Sequence, residues 1–194
     1  MARPKAFDRD EVLKAATSVF WAKGYEAAST DDLLAAMGIS RQSLYDTYGG
    51  KRALYLEALA RYNADSLATR IATLKGPASP MAGLSDFLTS VAAEPAEQRA
   101  LGCMGINAVC EFGQSDPDVT ASGAAGSGAL QAALEGVLRA AKARGEIAAE
   151  IDEAAAGRFL QTTLTGLKVY ARSGATPEAL REIADFAVQT LTPR

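Results

Sequence analysis

The chain has 194 residues, 48% of them apolar, enough to bury a core and too apolar for global disorder. It contains no histidine, which removes the commonest general base, metal ligand and physiological-pH switch, and its two cysteines are too few for a disulfide framework. The net charge of −3 does not announce a nucleic-acid partner, yet it is uneven: residues 1–62 carry nine Lys/Arg against eight Asp/Glu, the remainder eleven against fifteen.

The N-terminal stretch MARPKAFDRDE has no apolar segment of the secretory kind. No apolar run approaches the roughly 20 residues of a membrane span. A cytoplasmic protein with no membrane partner is therefore expected.

Asp8 followed by Glu11 reads as a capping box. Val12, Ala16, Val19 and Phe20 then recur at helical spacing, and Gly24 is a plausible stop, which predicts a first helix over 8–23. Ser29-Thr30-Asp31-Asp32 is a second start signal, with Leu33, Leu34 and Met37 behind it and Gly38 as the stop. Ser40 caps a third short helix, Arg41 to Tyr48, closed by Gly49-Gly50. Helices this short need packing on the first one to persist. A fourth runs from Lys51 to Leu74 and ends before Gly76-Pro77.

Beyond that point Ser79-Pro80, Asp116-Pro117 and Thr176-Pro177 each pair a good cap with proline at the first helical position. The spacing predicts helices over 80–93, 96–112, 117–144, 152–173 and 177–191. About nine helices and no convincing strand make an all-α protein. The low-complexity run ASGAAGSGA, 121–129, reads as weak helix rather than as a site of close approach.

A short helix, a glycine turn and a second short helix form a helix-turn-helix. Leu33, Met37, Ile39, Leu44 and Tyr48 would face inward onto Val12, Val19 and Phe20. The outward positions are then Arg41, Gln42, Ser43, Asp46 and Thr47, compact or fork-shaped groups suited to base edges in the major groove. Tyr45 can reach a phosphate with its hydroxyl, and Lys51, opening the fourth helix, can grip one with its ammonium and the helix's orphan amides. Asp46 would repel phosphate, so it reads as a cytosine reader or as a partner of Arg41. Tyr48 reads as core. Arg52 reads as solvated, while Arg3 and Lys5 could form an arm that touches the duplex.

The segment STDDLLAAMGISRQSLYDTYGGKRALY resembles the DNA-binding domain of the TetR family of bacterial one-component regulators. The carrying features are Thr30 at the start of the second helix, Gly-apolar-Ser at the turn, and Leu44-Tyr45 in the recognition helix. An aromatic three residues on and the opening Lys51 complete them. FWAKGYEAAST resembles the family's end of helix one. Leu34 departs from the small residue common in such motifs.

The resemblance implies a helix-turn-helix DNA-binding domain over 1–50, continuing into 51–60, and a ligand-binding and dimerisation domain over 61–194. It implies Ser29, Thr30, Arg41, Gln42, Ser43, Tyr45, Thr47 and Lys51 at double-stranded operator DNA. It also implies a homodimeric repressor released from a palindromic operator by a small-molecule inducer.

The last two helices carry apolar stripes that include Leu160, Leu164, Leu167, Ile183, Phe186 and Ala187. Gly157 and Gly166 would let helices approach closely. The stripes either close the monomer's own core or build a four-helix bundle across a two-fold axis, and the resemblance favours the dimer.

The segment LGCMGINAVCEFGQSDPDV resembles a helix found in one branch of the family. Cys103, Asn107 and Cys110 would lie near one face of it. Cys103 is either an apolar core residue, the favoured reading, or a thiol that senses electrophiles or oxidants. A disulfide to Cys110 is not expected if both stay helical, because their Cα atoms would lie about 10 Å apart. Asn107, if buried, bonds a neighbouring helix or orients a ligand. Phe87, Met104 and Phe159 complete an expected ligand pocket with Cys103, Asn107 and Cys110. Trp21 reads as filler at the joint between domains.

Two other function classes compete. One is a small helical enzyme with Cys103 as nucleophile, disfavoured by the lack of histidine. The other is an adaptor that uses Arg41–Tyr48 for protein contacts. No Gly-rich phosphate loop and no metal-ligand spacing occurs, so no catalytic site, metal or cofactor is expected.

Overall fold

The structure is a computed structural model and describes residues 7–193. Arg3 and Lys5, the expected N-terminal arm, lie outside the described residues. Ten helices follow in order: α1 (Arg9–Ala27), α2 (Thr30–Met37), α3 (Arg41–Tyr48), α4 (Lys51–Lys75), α5 (Pro80–Ala93), α6 (Ala96–Leu101), α7 (Met104–Phe112), α8 (Pro117–Ala143), α9 (Glu153–Arg172) and α10 (Pro177–Gln189). No strand occurs among the described residues.

The start signals act as caps. Asp8 accepts from the N–H groups of Asp10 and Glu11, Ser40 from Ser43, Ser79 from Ala82 and Thr176 from Ala179, and Asp152, which the sequence did not single out, accepts from Ala155 to cap α9. The reciprocal box forms at α2, where Ser29 and Asp32 satisfy each other's backbone N–H. The run 121–129 is helical within α8.

One predicted helix is two. The expected helix over 96–112 breaks at Gly102, which has φ 69° and ψ −137°. The positive φ favours glycine, and a Cβ there would lie 3.1 Å from Cδ of Arg172. Cys103 therefore sits in a break before α7 rather than inside a helix.

The chain forms two compact units. The first comprises residues up to Ala64 together with Met104–Gly123. Its core holds Phe20, Leu33, Leu44, Leu54, Tyr55, Met104 and Ala108. The inward face read from the sequence is buried here at Leu33, Met37, Leu44 and Tyr48, with Ile39 packed against it. Aromatic rings dominate: Tyr55 meets Phe20 edge-on at 5.0 Å, and Phe112 tilts against Tyr25 and Tyr55 at 5.6 and 5.7 Å. Trp21 packs edge-on against Tyr62 within this unit.

The second unit comprises 65–103 and the residues from Ala124 onward. Here α5 packs on α9 and α10, and α6 packs on α9. Leu84, Phe87, Leu88, Leu134, Leu160, Leu164, Leu167 and Leu180 fill the core. Lys168 is buried and paired with Glu94.

Candidate nucleic-acid interface

Three consecutive short elements build this site. Gly38, at φ 63° and ψ 28°, turns the chain out of α2 and donates its N–H to the Leu34 carbonyl. Ser40 starts α3 two residues later. Leu44 and Tyr48 anchor α3 inward, with the Tyr48 hydroxyl donating to the Arg9 carbonyl at 3.3 Å. Burial raises the Tyr48 phenol above its ordinary pKa.

Anchoring one face leaves the other open. Arg41, Gln42, Tyr45 and Asp46 are exposed, while Ser43 and Thr47 are half-buried at the edge. Arg41 pairs with Asp31 of α2 at 2.6 Å. Asp46 accepts from Gln42 Nε2 at 2.8 Å, one helical turn away. The sequence reading offered Arg41 as a partner for Asp46; Arg41 is held by Asp31 instead, because α2 brings that carboxylate across the turn. Tyr45 is 52% exposed, and its ring lies against Gly50, where a Cβ would stand 3.4 Å from Cε1.

Ser29 and Thr30 open α2. The Ser29 hydroxyl is already committed to the cap, accepting from Asp32 N–H at 3.0 Å and donating to Asp32 Oδ2 at 2.8 Å. Lys23 lies 2.8 Å from Asp32, and with Ser29 it holds that carboxyl down at about 2. Thr30 is half-buried.

Lys51 opens α4 with its Nζ 4.4 Å from the centre of the Tyr25 ring, a cation–π contact. Arg52 is not the solvated side chain expected. It forks onto Asp116 and reaches Asp118 at 2.7 Å. Arg52 and the N–H groups of Val119 and Asp118 hold the Asp116 carboxyl at about 2 against the opposing effect of burial, and Arg52 is raised in turn.

Sequence reasoning missed one residue here. Glu111 of α7 accepts from the backbone N–H of Tyr25 at 3.0 Å and of Glu26 at 2.8 Å. No local pattern signals this, because the partners are 86 and 85 positions apart.

The expected ligand-pocket residues divide between the units. Met104 is buried in the core of the first unit, with Asn107 half-buried and Cys110 exposed on the same helix. Phe87 and Cys103 are buried in the second unit, and Phe159 is 44% exposed on α9. Arg70 Nη2 lies 3.6 Å from the Cys103 sulfur, a cation that sequence proximity did not reveal. The second unit has a cleft of about 370 Å³ lined by Leu74, Pro77, Pro80, Gly136, Val137 and Arg144 among others. None of the expected pocket residues lines it.

Of the expected dimer residues, Leu160, Leu164, Leu167 and Ala187 are buried in the monomer's own core. Ile183 and Phe186 are exposed, Phe186 at 69%, as are Val169 and Tyr170. Gly157 serves the monomer too, since a Cβ there would lie 2.8 Å from Gln131 of α8.

Residues 12–58 match the family described as bacterial regulatory proteins, tetR family, and residues 80–187 match the tetracyclin repressor-like C-terminal domain. The chain is 36% identical over 193 residues to the HTH-type transcriptional regulator YezE of Bacillus subtilis (strain 168), covering 98% of this chain and all of the relative. It is 32% identical over 184 residues to the HTH-type transcriptional repressor ComR of Escherichia coli (strain K12), covering 94% of this chain and 88% of the relative. Among solved structures it is similar to a cysteine mutant of the TetR family regulator CifR in complex with 26bp double-strand operator DNA. That likeness has TM-score 0.84 and 31% identity, and it covers 98% of this chain and 100% of that one.

Proposed function

The chain belongs to the TetR family of bacterial regulatory proteins, and from that premise we propose that it is a homodimeric repressor that a small-molecule inducer releases from a palindromic operator. It acts in the cytoplasm; no helix among the described residues is long and apolar enough to cross a membrane. The observation that carries the reading is the open polar face of α3, with Lys51 at the start of the next helix. Arg41, Gln42, Ser43 and Thr47 can meet base edges in the major groove, and Tyr45 and Lys51 can meet the backbone. Ser29 and Thr30 stand at the start of α2, where main-chain amides favour a phosphate.

One helix-turn-helix reads only a few base pairs, so a second copy is needed to span two half-sites one groove repeat apart. The exposed Phe159, Val169, Tyr170, Ile183 and Phe186 of α9 and α10 are the apolar groups available to such a partner.

An inducer held by the second unit acts through the places where the chain passes between units: within α4, at Cys103–Met104 and within α8. It must bind the DNA-incompetent state more tightly, or it shifts nothing. The relatives matched are regulators, and the thiol-enzyme reading is not favoured. Titration of labelled fragments from the chain's own upstream region, at several salt concentrations, tests the proposal. Binding that fails at every fragment, or that ignores salt, would remove it.

A further inference from the structure

Gly24 interrupts α1. At φ 78° and ψ 177° it leaves the helical path, and helical geometry resumes through Ala27. A helix restarted in this way exposes backbone N–H groups that have lost their partners four residues back. Two of them, on Tyr25 and Glu26, meet a single carboxylate, that of Glu111. Each N–H takes one oxygen, a charge-assisted arrangement at the positive end of a helical turn. The approach is close enough that a Cβ on Gly24 would stand 3.0 Å from Glu111 Oε2.

What the turn carries is the ring of Tyr25. It tilts against Tyr55 at 5.0 Å and against Phe112, the neighbour of Glu111, at 5.6 Å. Its centre lies 4.4 Å from Lys51 Nζ. The last turn of α7 thus holds Tyr25 twice, by its backbone through Glu111 and by its ring through Phe112. Tyr25 in turn confines the ammonium of Lys51. A lysine confined beforehand loses less freedom when it meets its target.

We infer that Glu111 is a positioning residue for DNA binding: by fixing the Gly24–Glu26 turn it sets the Tyr25 ring that aims Lys51 at a phosphate. This rests on the reading of Lys51 as a backbone contact. Glu111 touches no DNA itself, and its effect is uniform across sequences because a phosphate contact carries no base preference.

The experiment uses the full chain and an upstream fragment that the wild type binds, with affinity read by anisotropy across a salt series. Glu111→Gln keeps the side chain's size but leaves one acceptor oxygen for two donors. Tyr25→Leu removes the ring and leaves both backbone hydrogen bonds possible, so it answers the same question if the first variant fails to fold. Each is expected to weaken binding about 3- to 10-fold and to flatten the salt slope toward that of Lys51→Ala, which loses about one unit per lysine. In a Lys51→Ala background each should cost less than about twofold more, since the two changes act on one contact. Wild-type affinity in both variants, an unchanged slope, or losses that multiply with Lys51→Ala would overturn the inference. A wild type that binds no fragment would instead overturn the DNA-binding reading on which it stands.

Discussion

Arg52 and Asp116 are 64 positions apart in sequence, yet they meet through two hydrogen bonds, Nη1 to Oδ2 at 2.5 Å and Nη2 to Oδ1 at 3.0 Å. Asp116 also caps α8, accepting from the N–H groups of Asp118 and Val119. The first turn of α4, where Lys51 sits, is therefore fastened to the first turn of α8 inside one compact unit. The Asp116 carboxyl titrates at about 2 instead of its ordinary 3.8. A depressed carboxyl contributes stability that is complete above the unfolded value and lost as pH falls through the folded one. The stability difference between wild type and Asp116→Asn should be constant from neutral pH down to about pH 4 and shrink between there and about pH 2. Thermal melts of both proteins across that window measure it, and a gap that stays constant to pH 2 would contradict the pairing.

Lys51→Ala and Tyr45→Phe remove a cation and a hydroxyl assigned to the DNA backbone. Each should weaken operator and non-operator fragments by a similar factor, and only the lysine change should lower the salt slope. Gln42→Ala should behave differently. It removes a group able to pair with adenine, so discrimination at one position relaxes by about 1–3 kcal/mol. Competition with single-base operator variants separates the two patterns. Selective loss at one base on Lys51→Ala would mean that α3 docks in another orientation.

Among the described residues, Phe186 is the most exposed of the large apolar side chains, at 69%. Phe186→Asp places a charge where the proposed partner helix would lie and removes nothing from the monomer's core. Sedimentation should show the wild type as a dimer and the variant shifted toward monomer, with operator affinity falling in parallel. A variant that stays dimeric would direct the interface away from the exposed face of α10.

Glu94 pairs with Lys168, which is buried on α9. Glu94→Ala would leave that buried ammonium without its carboxylate. The expected cost is about 3 kcal/mol in denaturant unfolding, since breaking one side of a buried pair strands the other charge. Glu94→Ala combined with Lys168→Met should recover part of it. A single variant as stable as the wild type would show that water reaches Lys168 freely.

Much of the secondary structure was legible in the residues themselves. Helix starts are local events: Ser29, Ser40, Ser79 and Thr176 each bond an N–H three residues ahead, so side-chain chemistry and short spacing suffice to find them. The helix-turn-helix followed for the same reason, because its inward and outward faces repeat with helical period over eight residues. The break at Gly102 was less visible. A single glycine inside an otherwise helical pattern does not by itself mark a break, so 96–112 read as one helix although it forms two.

Sequence by itself therefore determined the all-α class, the order of the helices and the polar face of α3, since each depends on contacts within a few residues. The tertiary structure alone decided that Leu160, Leu164 and Leu167 serve the monomer's own core while Phe186 stays exposed, because both outcomes satisfy the same apolar period. It alone placed Arg52 on Asp116, Arg70 beside Cys103 and Glu111 on the Tyr25 turn. Charges and donors meet through space, and chain order carries no record of which distant partner each one finds.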